Sequence, residues 1–158
     1  MELKKSLSKY WPAGKNFHSS SISFIKRYQN KIIVIKYGGY ALTKNNLMKS
    51  FSKNIALLNK VGIKTIIVHG GGPQIEAELK KRKIKDSEYP GLRVTTESIL
   101  KIVKNILSKK LNKMISLELN KFGRIAKRVD GMSLKVIEAK FALNGNIGYV
   151  GEPTKLDK

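Results

Sequence analysis

The stretch that most constrains this chain is Lys64-Thr65-Ile66-Ile67-Val68-His69-Gly70-Gly71-Gly72-Pro73-Gln74-Ile75. An apolar, β-branched run of strand length stops at His69, glycines follow, and Pro73 occupies a position favoured in the first turn of a helix. The pattern predicts strand, tight glycine turn and helix. At the end of a parallel strand such a turn exposes backbone N–H groups, and the helix dipole adds partial positive charge, so the fitting guest is an anion. Consecutive glycines also let a ligand approach the backbone without meeting a Cβ. A turn that merely reverses the chain is the competing reading, and a second glycine pair, Gly38-Gly39, weighs against it.

That second pair closes Lys31–Gly39, where Ile32 to Ile35 form an unbroken β-branched run. Such a run predicts a strand of a parallel sheet covered on both faces. Lys36 emerges at the strand end, and a cation beside exposed amides suits a phosphate. Between the strands, Leu42–Lys60 reads as an amphipathic helix with Leu47, Phe51, Ile55 and Leu58 on one face and Gly62 placed to end it. Strand, helix, strand at this spacing is a right-handed crossover that puts both glycine turns at one carboxyl edge.

Further along, Pro73–Arg82 predicts a short helix with Ile75 and Leu79 inward. Gly91-Leu92-Arg93-Val94-Thr95 is an extended piece, and Thr95 or Thr96 can cap the helix after it. Arg93 offers two parallel N–H donors to a carboxylate, which a lysine cannot do; an ordinary exposed arginine is the alternative. Ile99, Ile102, Val103, Ile106 and Leu107 give the next helix its apolar face, and Leu111, Ile115 and Leu119 continue it on another helix or a bent extension. Leu134–Ala139 and Ile147–Val150 read as strands around an Asn144-Gly145-Asn146 turn, with Gly148 and Gly151 as breakers. At the other end, residues 1–22 read as a polar, loosely ordered segment with Ser19-Ser20-Ser21 in a loop, and 23–30 as a short helix.

Composition narrows the function. With no cysteine among 158 residues, thiolate metal sites and disulfides are excluded, and His18 and His69 alone give no metal cluster. No apolar run is long enough to span a bilayer, and no secretory core opens the chain, so a cytoplasmic protein is expected. The net charge of +21 raises nucleic acid as a partner, but it is mostly lysine spread along the chain, without arginine forks or exposed aromatic arrays. The chain lacks the Gly-x-x-x-x-Gly-Lys-Ser/Thr phosphate loop, the dinucleotide fingerprint and the Gly-x-Ser-x-Gly elbow. Any chemistry at such a site rests on positioning and electrostatic stabilisation of anions, the logic of phosphoryl transfer.

Lys36-Tyr37-Gly38-Gly39, His69-Gly70-Gly71-Gly72-Pro73-Gln74, Gly91-Leu92-Arg93-Val94-Thr95 and Gly145-Asn146-Ile147-Gly148-Tyr149-Val150-Gly151, in this order and spacing, resemble the acetylglutamate kinases of the amino-acid kinase superfamily. The resemblance runs from about Ser23 to Glu152, and Ser23–Tyr28 is similar to the N-terminal helix of the arginine-inhibited branch, which joins dimers into a hexamer. It implies an α/β fold: a three-layer αβα sandwich with a mainly parallel sheet, its substrate-binding domain spanning 31–158 and incomplete at the C-terminus. It implies transfer of the γ-phosphate of ATP, carried with Mg2+, to the side-chain carboxylate of N-acetyl-L-glutamate in arginine biosynthesis. Lys36 would stabilise the phosphoryl group in flight, and the Gly38 and Gly39 amides would hold its oxygens. Gly71 and Gly72 would bind acetylglutamate through their backbone, and Arg93 would clamp its α-carboxylate; no metal-ligating residue is implied. The family's Gly-Ile/Leu-Ser-Gly stretch has no clear counterpart in Ala126–Leu134. Family members are longer, and the part with the ATP site and a second catalytic lysine would lie beyond Lys158. A homo-oligomer or a complementary C-terminal half is the implied partner, with weak or no activity in the isolated half. Nucleic-acid binding, or assembly with full-length kinase subunits, is the competing reading.

Overall fold

The structure, a computed structural model, describes Gly14 and residues 19–85, 87–131 and 134–156. Its contacts divide the chain into two compact units: the described residues up to Gly70 with Ile115–Ala126, and Gly71–Met114 with the described residues from Lys127 onward. Of the polar segment expected over 1–22, including His18, all but Gly14 and 19–22 lies outside the described residues.

The first unit opens with α1, Ser19–Tyr28. The serines expected in a loop form its first turn instead, with the Ser23 hydroxyl donating to the Ser20 carbonyl at 2.9 Å. Serine satisfies helix-terminal groups as readily as loop ones, so its presence did not decide the boundary. Strand β1, Ile32–Tyr37, then pairs in parallel with β2, Lys64–His69, from Ile32 opposite Lys64 to Tyr37 opposite His69. The crossover is a short 3₁₀ turn, Ala41–Thr43, and helix α2, Asn45–Lys60. Gly62, at φ +80°, ends it as predicted, its N–H bonding the Asn59 carbonyl.

The buried residues of α2 are Met48, Ser52, Ile55 and Ala56, so Ile55 lies inward as predicted, and the predicted Leu58 is half-buried against the core. Leu47 is exposed, and Phe51 reaches sideways to stack on Tyr37, with ring centroids 3.9 Å apart and planes within 4°. Periodicity fixed the helix but not which neighbouring apolar residue turned inward. Below this face, Val61 and Ile63 form a buried cluster with Ile25, Ile33, Leu57 and Leu58 packed against it.

The expectation that β1 is covered on both faces is corrected. Ile33 and Tyr37 face α2, whereas Ile32 and Val34 are 63% and 64% exposed, as are Ile66 and Val68 at 51% and 52%. The β-branched run was read properly as strand; the sequence could not show that one of its apolar faces lies open within this chain.

The second unit starts with α3, Gly72–Lys81, Pro73 in its first turn and Ile75 and Leu79 buried as predicted. A small antiparallel pair, β3 (Glu88–Tyr89) and β4 (Leu92–Arg93), follows. Helix α4, Glu97–Lys104, is capped by the Thr96 hydroxyl, which accepts from the Ile99 N–H. It widens into a π-helical segment, Asn105–Leu111, and resumes as α5, Asn112–Asn120, resolving the predicted choice in favour of an extension.

The last strands differ from expectation. Strand β5, Ile137–Phe141, pairs antiparallel with β6, Gly151–Leu156, through a left-handed turn at Leu143, Asn144 and Gly145. The turn falls where it was read, but Ile147–Val150 is not a strand of this hairpin, and Gly151 opens a strand rather than breaking one. Gly148 at φ +69° interrupts the extended run, while Lys140–Glu152 and Lys155–Glu138 ion pairs tie the charged β6 to β5. The architecture is mixed α/β with a parallel sheet, and the described strands form three two-stranded sheets.

Candidate functional site

The predicted site residues form two clusters, one in each unit. In the first, β1 and β2 end level with one another, so the glycines after them meet. Gly70 donates to the Tyr37 carbonyl at 2.9 Å, and a Cβ on Gly70 would stand 3.2 Å from the Gly39 nitrogen. A Cβ there would press on the Gly39 backbone, so glycine favours this close approach of the two turns. Gly38 accepts from the Ala41 N–H at 3.1 Å, closing the first turn. Lys36 lies two residues before Gly38, exposed and in register with Val68 on the uncovered sheet face. The His69 Nδ1 is 3.1 Å from the Gly70 carbonyl, to which it donates when it carries the proton. Lys36, Gly38 and Gly39 thus share the carboxyl end of a parallel strand pair, where open α/β sheets bind ligands.

In the second unit, Gly71 precedes α3 and its carbonyl accepts the first helical bond, from Ile75 at 3.0 Å. The first-turn amides of a helix have no acceptor within it, and their dipole favours negative charge. Gly71 is buried: a Cβ there would stand 2.6 Å from Leu107 Cδ2 and 2.7 Å from Leu111 Cδ1. Its φ of −173° is ordinary extended backbone, so the demand for glycine is one of space, imposed by the π-helical segment. Arg93 is carried by β4 and reaches α3, its Nη2 3.4 Å from Glu76 Oε1. That oxygen is also 3.8 Å from where a Gly72 Cβ would be. Gly71, Gly72 and Arg93 therefore converge on the first turns of one helix.

Two features of this cluster have roles that the sequence did not reveal. Glu76 beside Arg93 had no signal beyond its being an acid on a helix. The Gly145–Gly151 segment was noticed as a motif, but its work is to hold Arg93's strand: Thr95 donates to the Ile147 carbonyl at 2.9 Å and accepts from the Tyr149 N–H at 2.8 Å. Among the described residues no group of His, Asp or Glu could hold a metal ion, and no helix is long and apolar enough to cross a membrane.

Parallel strands joined by a helical crossover, with glycine turns at their carboxyl ends, define an α/β protein. The model of the amino acid kinase family matches residues 31–158, and the chain belongs to that family. It is 41% identical over 133 residues to an acetylglutamate kinase of Campylobacter curvus, covering 84% of this chain and 47% of that protein. It is 36% identical over 151 residues to one of Gluconobacter oxydans, covering 88% and 51%. The chain thus spans about half the length of these curated relatives. Among solved structures it is similar to smu.665 of Streptococcus mutans, with a TM-score of 0.66, 28% identity and coverage of 80% of this chain and 51% of the other. The N-acetylglutamate synthase of Neisseria gonorrhoeae, complexed with coenzyme A and N-acetyl-glutamate, shares the fold at a TM-score of 0.65 and 18% identity, covering 87% of this chain and 31% of that one.

Proposed function

We propose that the chain supplies the acceptor-substrate part of an acetylglutamate kinase, in which the γ-phosphate of ATP passes to the side-chain carboxylate of N-acetyl-L-glutamate in the cytoplasm. The observation that carries the reading is the convergence of Gly71, Gly72 and Arg93 on the first turns of α3, which suits a ligand bearing a carboxylate. Arg93 forms a fork on the α-carboxylate, displacing Glu76, and the Gly71 and Gly72 backbone receives the rest of the ligand. Lys36 and the Gly38 and Gly39 amides serve the phosphoryl group, countering charge on oxygens that are in transit between donor and acceptor. ATP enters with Mg2+, as for phosphoryl transfer generally, and this chain's contribution is the lysine and the amides. The names of the relatives support the choice of substrate.

The exposed sheet face supports the accompanying proposal that the working enzyme is an assembly. Ile32, Val34, Ile66 and Val68 flank Lys36 on one open face, and a second polypeptide, either a complementary half or another copy, covers it. Titration calorimetry of N-acetyl-L-glutamate into the purified chain tests the substrate reading. Saturable binding that is lost in Arg93→Ala is the expected result; heat that is absent from the native chain, or unchanged in the variant, overturns it.

A further inference from the structure

We infer that Arg128 is a positioning residue for the Gly71–Gly72 turn, acting through the π-helical segment beneath it. At the end of that segment the Asn112 N–H bonds the Leu107 carbonyl, five residues back, rather than the Ser108 carbonyl four back. The Ser108 carbonyl instead accepts from Arg128 Nη2 at 2.8 Å. The same guanidinium donates from Nε to Asn112 Oδ1, also at 2.8 Å, and Asn112 Nδ2 donates on to the Val129 carbonyl at 3.2 Å. One planar fork therefore spans the point where the wide helix returns to α geometry, and the Asn112 amide ties the fork to its own backbone. A lysine cannot do this, because its single ammonium centre does not present two donors in a fixed plane.

What the fork holds is the floor of the candidate site. Leu107 and Leu111, the two side chains against which Gly71 packs, both belong to the π segment. A π turn takes in one residue more than an α turn and persists only where something favours its wider register. If the Ser108 carbonyl loses Arg128, the Asn112 N–H is free to turn to it, and the segment tightens. Leu107 and Leu111 then change their relative orientation, and the Gly71 backbone that rests on them moves.

The test compares the whole chain with Arg128→Gln and Arg128→Lys, using amide NMR spectra without ligand and calorimetric titration of N-acetyl-L-glutamate. The expected result is displaced Gly71 and Gly72 amide signals in both variants, with β1 and β2 signals unchanged. Affinity should fall roughly three- to tenfold, the range for losing a charge-assisted hydrogen bond at a site that solvent partly screens. Should Arg128→Gln fail to fold, Arg128→Lys, which keeps the charge and most of the stem, decides alone. Signals that move only at Ser108, Asn112 and Val129 overturn the inference and make Arg128 a local surface tie. The affinity arm rests on the substrate reading, whereas the amide arm does not. Moved glycine amides in a chain that binds no acetylglutamate would sink the substrate reading and leave this one standing.

Discussion

Thr95 and Gly148 form a parallel bridge in which both backbone groups of Thr95 are held by the neighbours of Gly148, and a Cβ on Gly148 would collide with the Thr95 carbonyl oxygen. Thr95 lies two residues after Arg93, so the bridge fixes the strand that presents the guanidinium.

Gly148→Ala meets both that collision and a left-handed φ of +69°. An L residue forced into this backbone costs about 1–3 kcal/mol. Urea unfolding should show a loss of that size, and the affinity for N-acetyl-L-glutamate should drop with it because Arg93 is no longer held.

Gly71→Ala places a methyl against Leu107 and Leu111. Overpacking of this kind costs about 1–3 kcal/mol. Adding Leu107→Ala makes room for the methyl, so the double variant should bind acetylglutamate better than Gly71→Ala alone. A double variant no better than the single one means that the defect is not steric.

Lys36 and Arg93 should separate binding from chemistry. Arg93→Lys keeps the charge but loses the fork, and calorimetry should read a reduced affinity. Lys36→Ala should bind acetylglutamate as the native chain does. In an assembly that turns over, its phosphoryl transfer, followed by ADP release, should fall about 10²–10³-fold, as when one preorganised donor is removed.

The Tyr37 hydroxyl is buried without a hydrogen-bond partner among the described residues, and its burial raises the pKa above the ordinary 10.0. The folded state therefore holds this proton where the unfolded chain has begun to release it, so stability falls as the pH climbs from about 10. Tyr37→Phe should keep the stack on Phe51 and flatten that alkaline loss. It should also leave the neutral-pH melting temperature equal or higher, since a buried hydroxyl lacking a partner costs about 1–3 kcal/mol.

The open sheet face should drive association. Val34→Thr with Ile66→Thr keeps β-branched shape and strand propensity while removing apolar surface from the register pair. Sedimentation velocity should show less self-association for the double variant than for the native chain, with unchanged circular dichroism.

Much of this was legible in the sequence because it rests on local chemistry. The glycine turns, Pro73 at the head of α3, Gly62 after α2 and the capping threonine each follow from backbone geometry that few residues satisfy. Lys36, Gly38 and Gly39 lie at the carboxyl end of β1, Gly71 and Gly72 at the head of α3, and Arg93 on β4. What was not legible depends on contacts far apart in the chain. Nothing in Val34 or Ile66 tells whether a layer covers them. Gly148 reads as a breaker until Thr95 is seen against it, and the Arg128 fork joins groups 16 and 20 residues distant. On α2, Ile55 is buried as read, but Met48 turns inward in place of Leu47, because the two are neighbours that apolar spacing alone does not rank.

The π-helical segment changes which mutations in this region carry weight. Over Asn105–Leu111 the helix holds a residue more than the α register needs, so deleting one residue there would leave a continuous helix behind. Each residue of an α-helix accounts for about 100° of rotation. Such a deletion would preserve the helix and turn everything on one side of it away from its present neighbours. Chain length in those seven residues is therefore a heritable setting in its own right, and a frame-preserving loss of one codon would be a harsher change than most substitutions at the same positions.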